Sequence, residues 1–208
     1  MMNKKILIVE DESLSAQLIE LGVTQAGFEV SDTCVDSESA IHSVHENRPD
    51  LILMDIKIEG SCDGIETAKR ISEDVRIPVI FITAYADDDT VSRAAEVSPY
   101  GYLLKPISSA ILKSSINMAL SKFKSDERSR EYSDVLEHSL SEIVILDAET
   151  LYILNANAAT RNNLGYTIDE LRTNTLCQVL PEIESEEMQI NQERINKYPD
   201  ETVVIKTR

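Results

Sequence analysis

Glu10-Asp11, Asp55, Thr83 and Lys105 are the residues whose types and spacing could do chemistry, because each closes a short apolar run. The runs are Ile6-Leu7-Ile8-Val9, Leu51-Ile52-Leu53-Met54, Val79-Ile80-Phe81-Ile82 and Tyr100-Gly101-Tyr102-Leu103-Leu104, the last followed by Lys105-Pro106. Runs of this kind read as strands buried on both faces, whose last side chains emerge at a sheet edge. Four such edges in register would gather several carboxylates, one hydroxyl and one ammonium. Clustered carboxylates repel one another and favour a hard divalent cation such as Mg²⁺, which takes oxygen ligands and keeps some of its waters. A fixed ammonium and a hydroxyl beside them suit a phosphoryl group, whose transfer depends on positioning and charge neutralisation. A carboxylate serves as the nucleophile.

The elements between these runs must do the positioning. Ser13 is placed to cap a helix in which Leu14, Leu18, Leu21 and Ile19 make one apolar stripe, with Gly27 at its end. Phe28 to Thr33 reads as a weaker strand, and Asp36 or Ser37 opens a helix with Ala40, Ile41 and Val44 inward. A loop from Ile56 to Asp63 leads to Gly64 and a helix carrying Ile65, Ala68 and Ile71. Asp87-Asp88-Asp89 precedes a helix through Thr90 to Val97 and reads as capping acids that meet the helix dipole. Strand and helix thus alternate five times with short connections. The expected fold is α/β, a doubly wound five-stranded parallel sheet with its ligand site at the carboxyl ends of the strands.

With those residues in place, Lys5 to about Phe123 resembles the receiver domain of two-component response regulators, a flavodoxin-like fold, and residues 1–123 are assigned to it. The resemblance implies that Asp55 is the phosphoacceptor. It implies Mg²⁺ as cofactor, held by Asp11, Asp55 and the main-chain carbonyl of Lys57, with Glu10 acting through a metal-bound water. Thr83 and Lys105 would contact the phosphoryl oxygens, and Thr83 with Tyr102 would form the switch. Ala84 would leave room for the phosphate, and the Lys105–Pro106 peptide bond would be cis. The implied partner is a histidine kinase or phosphotransfer protein.

The following helix carries Leu112, Ile116, Ala119 and Phe123 at spacings of four, three and four, which serve to pack it on the sheet and would also serve a coiled-coil seam. Residues 124–137 are charged, lack Pro and Gly over KSDERSREYSD, and read as a helical connector. A homodimer through the receiver face or this helix is expected. Residues 138–208 read as a smaller α+β domain. Glu142 to Asp147 and Leu151 to Asn155 form a hairpin, and a helix with Ala158, Ala159 and Leu164 inward ends at Gly165. This stretch resembles the start of a PAS domain. Only a third strand, Thr202 to Lys206, is legible before Arg208, so the PAS-like domain is expected to be incomplete: the chain is a fragment, the favoured reading, or it forms an abbreviated PAS-like module that must cover its sheet edge another way.

Composition narrows the function classes. The net charge of −17 disfavours nucleic acid and anionic membrane as partners. Cys34, Cys62 and Cys177 are odd in number and lack metal-type spacing, so they read as reduced thiols of a cytoplasmic protein. The amino terminus is too short for a signal peptide before the first strand, and no apolar run approaches the roughly 18 residues of a membrane span. His42 and His45 lack further ligands at metal spacing, the residues around Cys177 do not make a flavin-adduct motif, and no glycine-rich nucleotide loop is present. Two readings remain open. One is a response regulator acting on a PAS-type sensing or interaction module. The other is the amino-terminal part of a larger signalling enzyme, a histidine kinase or diguanylate cyclase, whose catalytic domain lies beyond residue 208.

Overall fold

The computed structural model describes residues 3–84, 88–147, 149–181 and 193. The chain divides into two compact units, Met1–Glu127 and Arg128–Arg208.

In the first unit the strands are β1 (Lys5–Val9), β2 (Glu29–Cys34), β3 (Leu51–Asp55), β4 (Val79–Thr83) and β5 (Gly101–Leu104). They form one parallel sheet in the order β2-β1-β3-β4-β5. The helices are α1 (Ser13–Gln25), α2 (Ser37–Asn47), α3 (Gly64–Asp74), α4 (Asp88–Ala95) and α5 (Ser109–Glu137), whose residues 128–137 belong to the second unit. Because successive strand side chains point to opposite faces, β1, β3 and β4 feed two separate cores. Leu7, Val9, Ile52, Met54 and Phe81 meet Ala40 and Val44 of α2 and Ile65, Ala68 and Ile71 of α3. Ile6, Ile8, Leu51, Leu53, Ile80 and Ile82 meet Ile19 and Val23 of α1 and Leu112, Ile116 and Ala119 of α5. Burial on both sides is why these strands carry no polar alternation.

Helix α1 departs from the sequence reading. Leu14, Leu18 and Leu21 are 65%, 63% and 54% exposed, while Ala16, Ile19 and Val23 face the core. Both sets fit a helical period, and size decides between them. A Cβ on Gly22 would lie 3.1 Å from Leu112 Cδ2, so α1 approaches α5 closely through its small residues. Ser13 is the first helical residue and not the cap: Glu12 holds that position without a side-chain hydrogen bond. Helices α2 and α3 are capped conventionally, by Asp36 on Ser39 N–H and by Asp63 on Glu66 N–H. The expectation of capping by Asp87-Asp88-Asp89 falls on side chains outside the described residues.

Residues 109–137 form one uninterrupted helix of 29 residues. Phe123 meets the ring of Tyr100 edge-on at 5.7 Å between centroids, and Tyr100 Oη donates to Asp126 at 3.0 Å. In the second unit β6 (Val144–Leu146) pairs antiparallel with β7 (Ile153–Ala156), followed by α6 (Ala158–Leu164), α7 (Ile168–Arg172) and α8 (Leu176–Val179). Ile153, Ala156 and Leu171 form its core, with Val144, Leu146 and Leu164 against them. The buried residue of α6 is Thr160 and not the expected Ala158 or Ala159, because its hydroxyl bonds the backbone of Ile143. Helix α7 opens with a Thr167–Glu170 capping box. The third strand expected at Thr202 to Lys206 lies outside the described residues. No helix among the described residues is long and apolar enough to cross a membrane.

Candidate functional site

The parallel register brings the ends of β1, β3, β4 and β5 to one edge, where Ile56 N–H bonds Ile82 O and Lys105 N–H bonds Thr83 O. Asp55 is the last residue of the central strand and is 7% exposed. Its Oδ1 accepts from the Lys57 amide at 2.9 Å, and its Oδ2 accepts from Lys105 Nζ at 2.5 Å. The same ammonium donates to Glu10 Oε2 at 2.5 Å. Thus two carboxylates from adjacent strands share one lysine that follows the edge strand β5. Its stem emerges from a Lys105–Pro106 peptide bond that is cis.

The electrostatics follow from burial. Desolvation pushes the Glu10 carboxyl above its ordinary range; the Lys105 ammonium opposes this, and the Asp55 charge adds to it. For Lys105, desolvation works against the charged form, but hydrogen bonds to Asp55 and Glu10 outweigh it and its pKa is raised. One ammonium shared between two buried carboxylates leaves the edge short of positive charge, and Asp11 adds another acid at the end of β1. Among the described residues no three acidic, imidazole or thiol groups stand close enough to hold a metal ion by themselves. An acidic, oxygen-only donor set of this kind fits Mg²⁺, which would complete its shell with waters and a main-chain carbonyl.

Thr83, 5% exposed, closes β4 one strand away from Asp55. Tyr102 on β5 is 38% exposed, with its ring centroid 5.7 Å from that of Phe81; burial of the ring raises its hydroxyl pKa. Glu10, Asp55, Thr83 and Lys105 thus stand at or next to the carboxyl ends of their strands, whereas Tyr102 lies two residues before the end of β5, paired with Phe81. Two contributors escaped the sequence reading. Ser15 of α1 opposes the rise of the Glu10 carboxyl pKa, and Gly64 of α3 packs against the main chain of Asp55. Neither has a signal beyond an ordinary helix start. The outward leucines of α1 and the Lys105–Pro106 corner line one open groove of about 470 Å³ beside the site.

A doubly wound parallel domain with a buried aspartate, a bridging lysine and a hydroxyl at its strand ends is an α/β domain with its site at the carboxyl ends of its strands. Residues 6–117 match the response regulator receiver domain family, and the chain belongs to that family. The transcriptional regulatory protein PdtaR of Mycobacterium tuberculosis is 31% identical over 121 residues, 58% of either chain. The chain thus spans less than two thirds of the curated relatives it matches. Among solved structures, the signal receiver domain of a modulated diguanylate cyclase from Desulfovibrio desulfuricans G20 is 38% identical with a TM-score of 0.58, covering 60% of this chain and 99% of that one. The amino-terminal domain of a response regulator/sensory box/GGDEF three-domain protein from Carboxydothermus hydrogenoformans is 35% identical with a TM-score of 0.55, covering 59% and 98%.

Proposed function

We propose that Asp55 accepts a phosphoryl group from a phosphohistidine on a histidine kinase or phosphotransfer protein. The observation that carries this reading is the setting of its carboxylate, with Oδ1 on the Lys57 amide and Oδ2 on Lys105 Nζ. Those contacts orient one oxygen and offset its charge while the strand end keeps it open to an incoming group. The Asp55 oxygen attacks phosphorus as the donor's P–N bond breaks, the imidazole nitrogen takes the electron pair and a proton from solvent, and an acyl phosphate forms. Asp11, Asp55 and the Lys57 carbonyl would hold Mg²⁺, with Glu10 behind a water, and the ion would neutralise charge on the phosphoryl oxygens. Thr83 would donate to a phosphoryl oxygen, and Lys105 would pair with another. The outward apolar face of α1 next to Lys105 offers the donor protein a surface to dock on.

The added charge of about −1.5 to −2 draws Thr83 inward and lets Tyr102 turn, which repacks the α4–β5–α5 face and biases a homodimer through that face or through α5. The output we assign to residues 138–208 is a PAS-type sensing or interaction module, after a connector at 124–137. The β6–β7 hairpin, the Asn157 cap and Gly165 in the left-handed region at the end of α6 support it. A second reading is favoured by the relatives from diguanylate cyclase and sensory box/GGDEF proteins: an amino-terminal piece of a larger signalling enzyme. The curated relatives bear transcriptional regulatory names, but residues 107–208 hold more acids than bases, which argues against DNA as a partner of this chain.

The test is intact mass after treatment with acetyl phosphate, with and without Mg²⁺, on the wild-type chain and on Asp55→Asn. One added phosphoryl group that needs both Mg²⁺ and Asp55 is expected. Uptake by Asp55→Asn at the wild-type rate would place the acceptor elsewhere.

A further inference from the structure

The last turn of α5, which lies in the second unit, is gripped by two side chains of that same unit that the phosphoacceptor chemistry does not use. A helix leaves its final carbonyls without intrahelical partners. Asn157 Nδ2 donates to Leu136 O at 3.0 Å in α5, and to Ser139 O at 3.3 Å and Ser141 O at 2.8 Å just beyond it. Its Oδ1 accepts from Ile143 N at 3.0 Å and from Thr160 N at 3.2 Å. One side chain therefore closes α5, fixes the entry to β6 and opens α6. Asn157 is 5% exposed, so any of these groups left without it would be desolvated and unpaired.

Arg161, one turn into α6, adds a charged bridge. Its guanidinium donates to Glu137 Oε2 at 3.2 Å and to Oε1 at 2.5 Å, the forked geometry that suits a carboxylate, and also to Ala156 O at 2.5 Å. These bonds hold the Glu137 carboxyl below its usual range. Without the two side chains, a charged helix would end in solvent and the five residues from His138 to Glu142 would act as a swivel.

We propose that Asn157 and Arg161 are positioning residues that clasp the end of α5, so that its last turns, residues 128–137, and the β6–β7–α6 layer open and move as one body within the second unit. The use of the clasp as a signal route rests on the phosphorylation reading above; the clasp itself does not.

Hydrogen exchange followed by mass spectrometry on the full chain tests it. Asn157→Asp keeps an oxygen to cap α6 but removes the donations to Leu136, Ser139 and Ser141. It is expected to speed exchange in the peptide 130–138 several-fold, with that of α7 unchanged. Arg161→Ala should raise exchange in the same peptide roughly 3-fold, and Arg161→Lys, which keeps a donor and a positive charge opposite Glu137, should raise it less. Unchanged exchange at 130–138 in both Asn157→Asp and Arg161→Ala would overturn the proposal, and so would an equal rise in Arg161→Lys and Arg161→Ala. In a second arm, phosphorylation confirmed by mass should alter exchange over 143–157 in the wild type and not in Arg161→Ala; an equal response in the variant would overturn the coupling. If Asp55 takes no phosphoryl group, the functional reading fails while the first arm still decides the clasp.

Discussion

Gly64 lies so close to Asp55 that a Cβ on it would stand 1.9 Å from the Asp55 carbonyl oxygen and 2.9 Å from its carbonyl carbon. Both are main-chain atoms, so nothing yields cheaply. The Gly64 amide also donates to Ile56 O at 2.9 Å, which ties the first turn of α3 to the residue after the acceptor. Gly64→Ala should therefore destabilise the chain by about 2 kcal/mol or more and slow phosphoryl uptake at Asp55. Gly101→Ala is the control, because its Cβ would meet nothing closer than 3.8 Å. It should change stability by less than about 1 kcal/mol, as read from urea midpoints.

Lys105 is shared by Glu10 and Asp55. Lys105→Met keeps much of the stem and removes the charge, and uptake from acetyl phosphate should fall on the order of 100-fold. Lys105→Arg should recover little of it, since a planar fork does not fit a place shaped for a point charge between two carboxylates. Time courses of intact mass read both.

The outward face of α1 separates stability from recognition. Leu18→Asp, at a position 63% exposed, should shift stability by less than about 0.5 kcal/mol, whereas Ile19→Ala, at a position 7% exposed, should cost about 2 to 4 kcal/mol. Labelling of Leu18→Asp by acetyl phosphate should match the wild type, while transfer from a phosphohistidine protein slows. Equal slowing with both donors would remove α1 from the docking surface.

Cys34 is 4% exposed, and burial pushes its thiol up from 9.0 to about 11, with the Asp32 charge adding to the shift. The folded chain thus holds this proton more tightly than the unfolded chain. The stability it contributes is complete below pH 9 and is lost as pH rises from 9 through 11. At pH 8 iodoacetamide should label Cys62 and Cys177, both partly exposed, and spare Cys34 until urea unfolds the chain. Peptide mapping after a timed quench reads this, and equal labelling of all three would contradict the buried assignment.

The β–α alternation of the first unit was legible because its strands are buried on both faces, which removes polar residues from them and leaves the acids, the hydroxyl and the lysine to mark their ends. The convergence of Glu10, Asp55, Thr83 and Lys105 at one edge then follows from parallel winding, whereas the order β2-β1-β3-β4-β5 came only with the structure, because more than one doubly wound order fits the same alternation. The hairpin at Val144–Leu146 and Ile153–Ala156 and the close of α6 at Gly165 were legible for similarly local reasons.

Other features depend on what each residue meets across the fold. In α1 two sets of residues share one helical period, and only the structure shows Ile19 and Val23 packed in the core with Leu112 while the leucines stay outward. Gly64 reads as an ordinary helix start until Asp55 is set against it. Asn157 was not singled out from the sequence; it caps α6, and its grip on α5 joins residues 21 apart in the chain. Sequence by itself determined the two-sided burial of the strands and the chemistry at their ends, because periodicity and side-chain type are local. Tertiary structure decided which helix face is covered, which glycine is indispensable and which polar side chain spans two elements, because those depend on distances between residues remote in sequence.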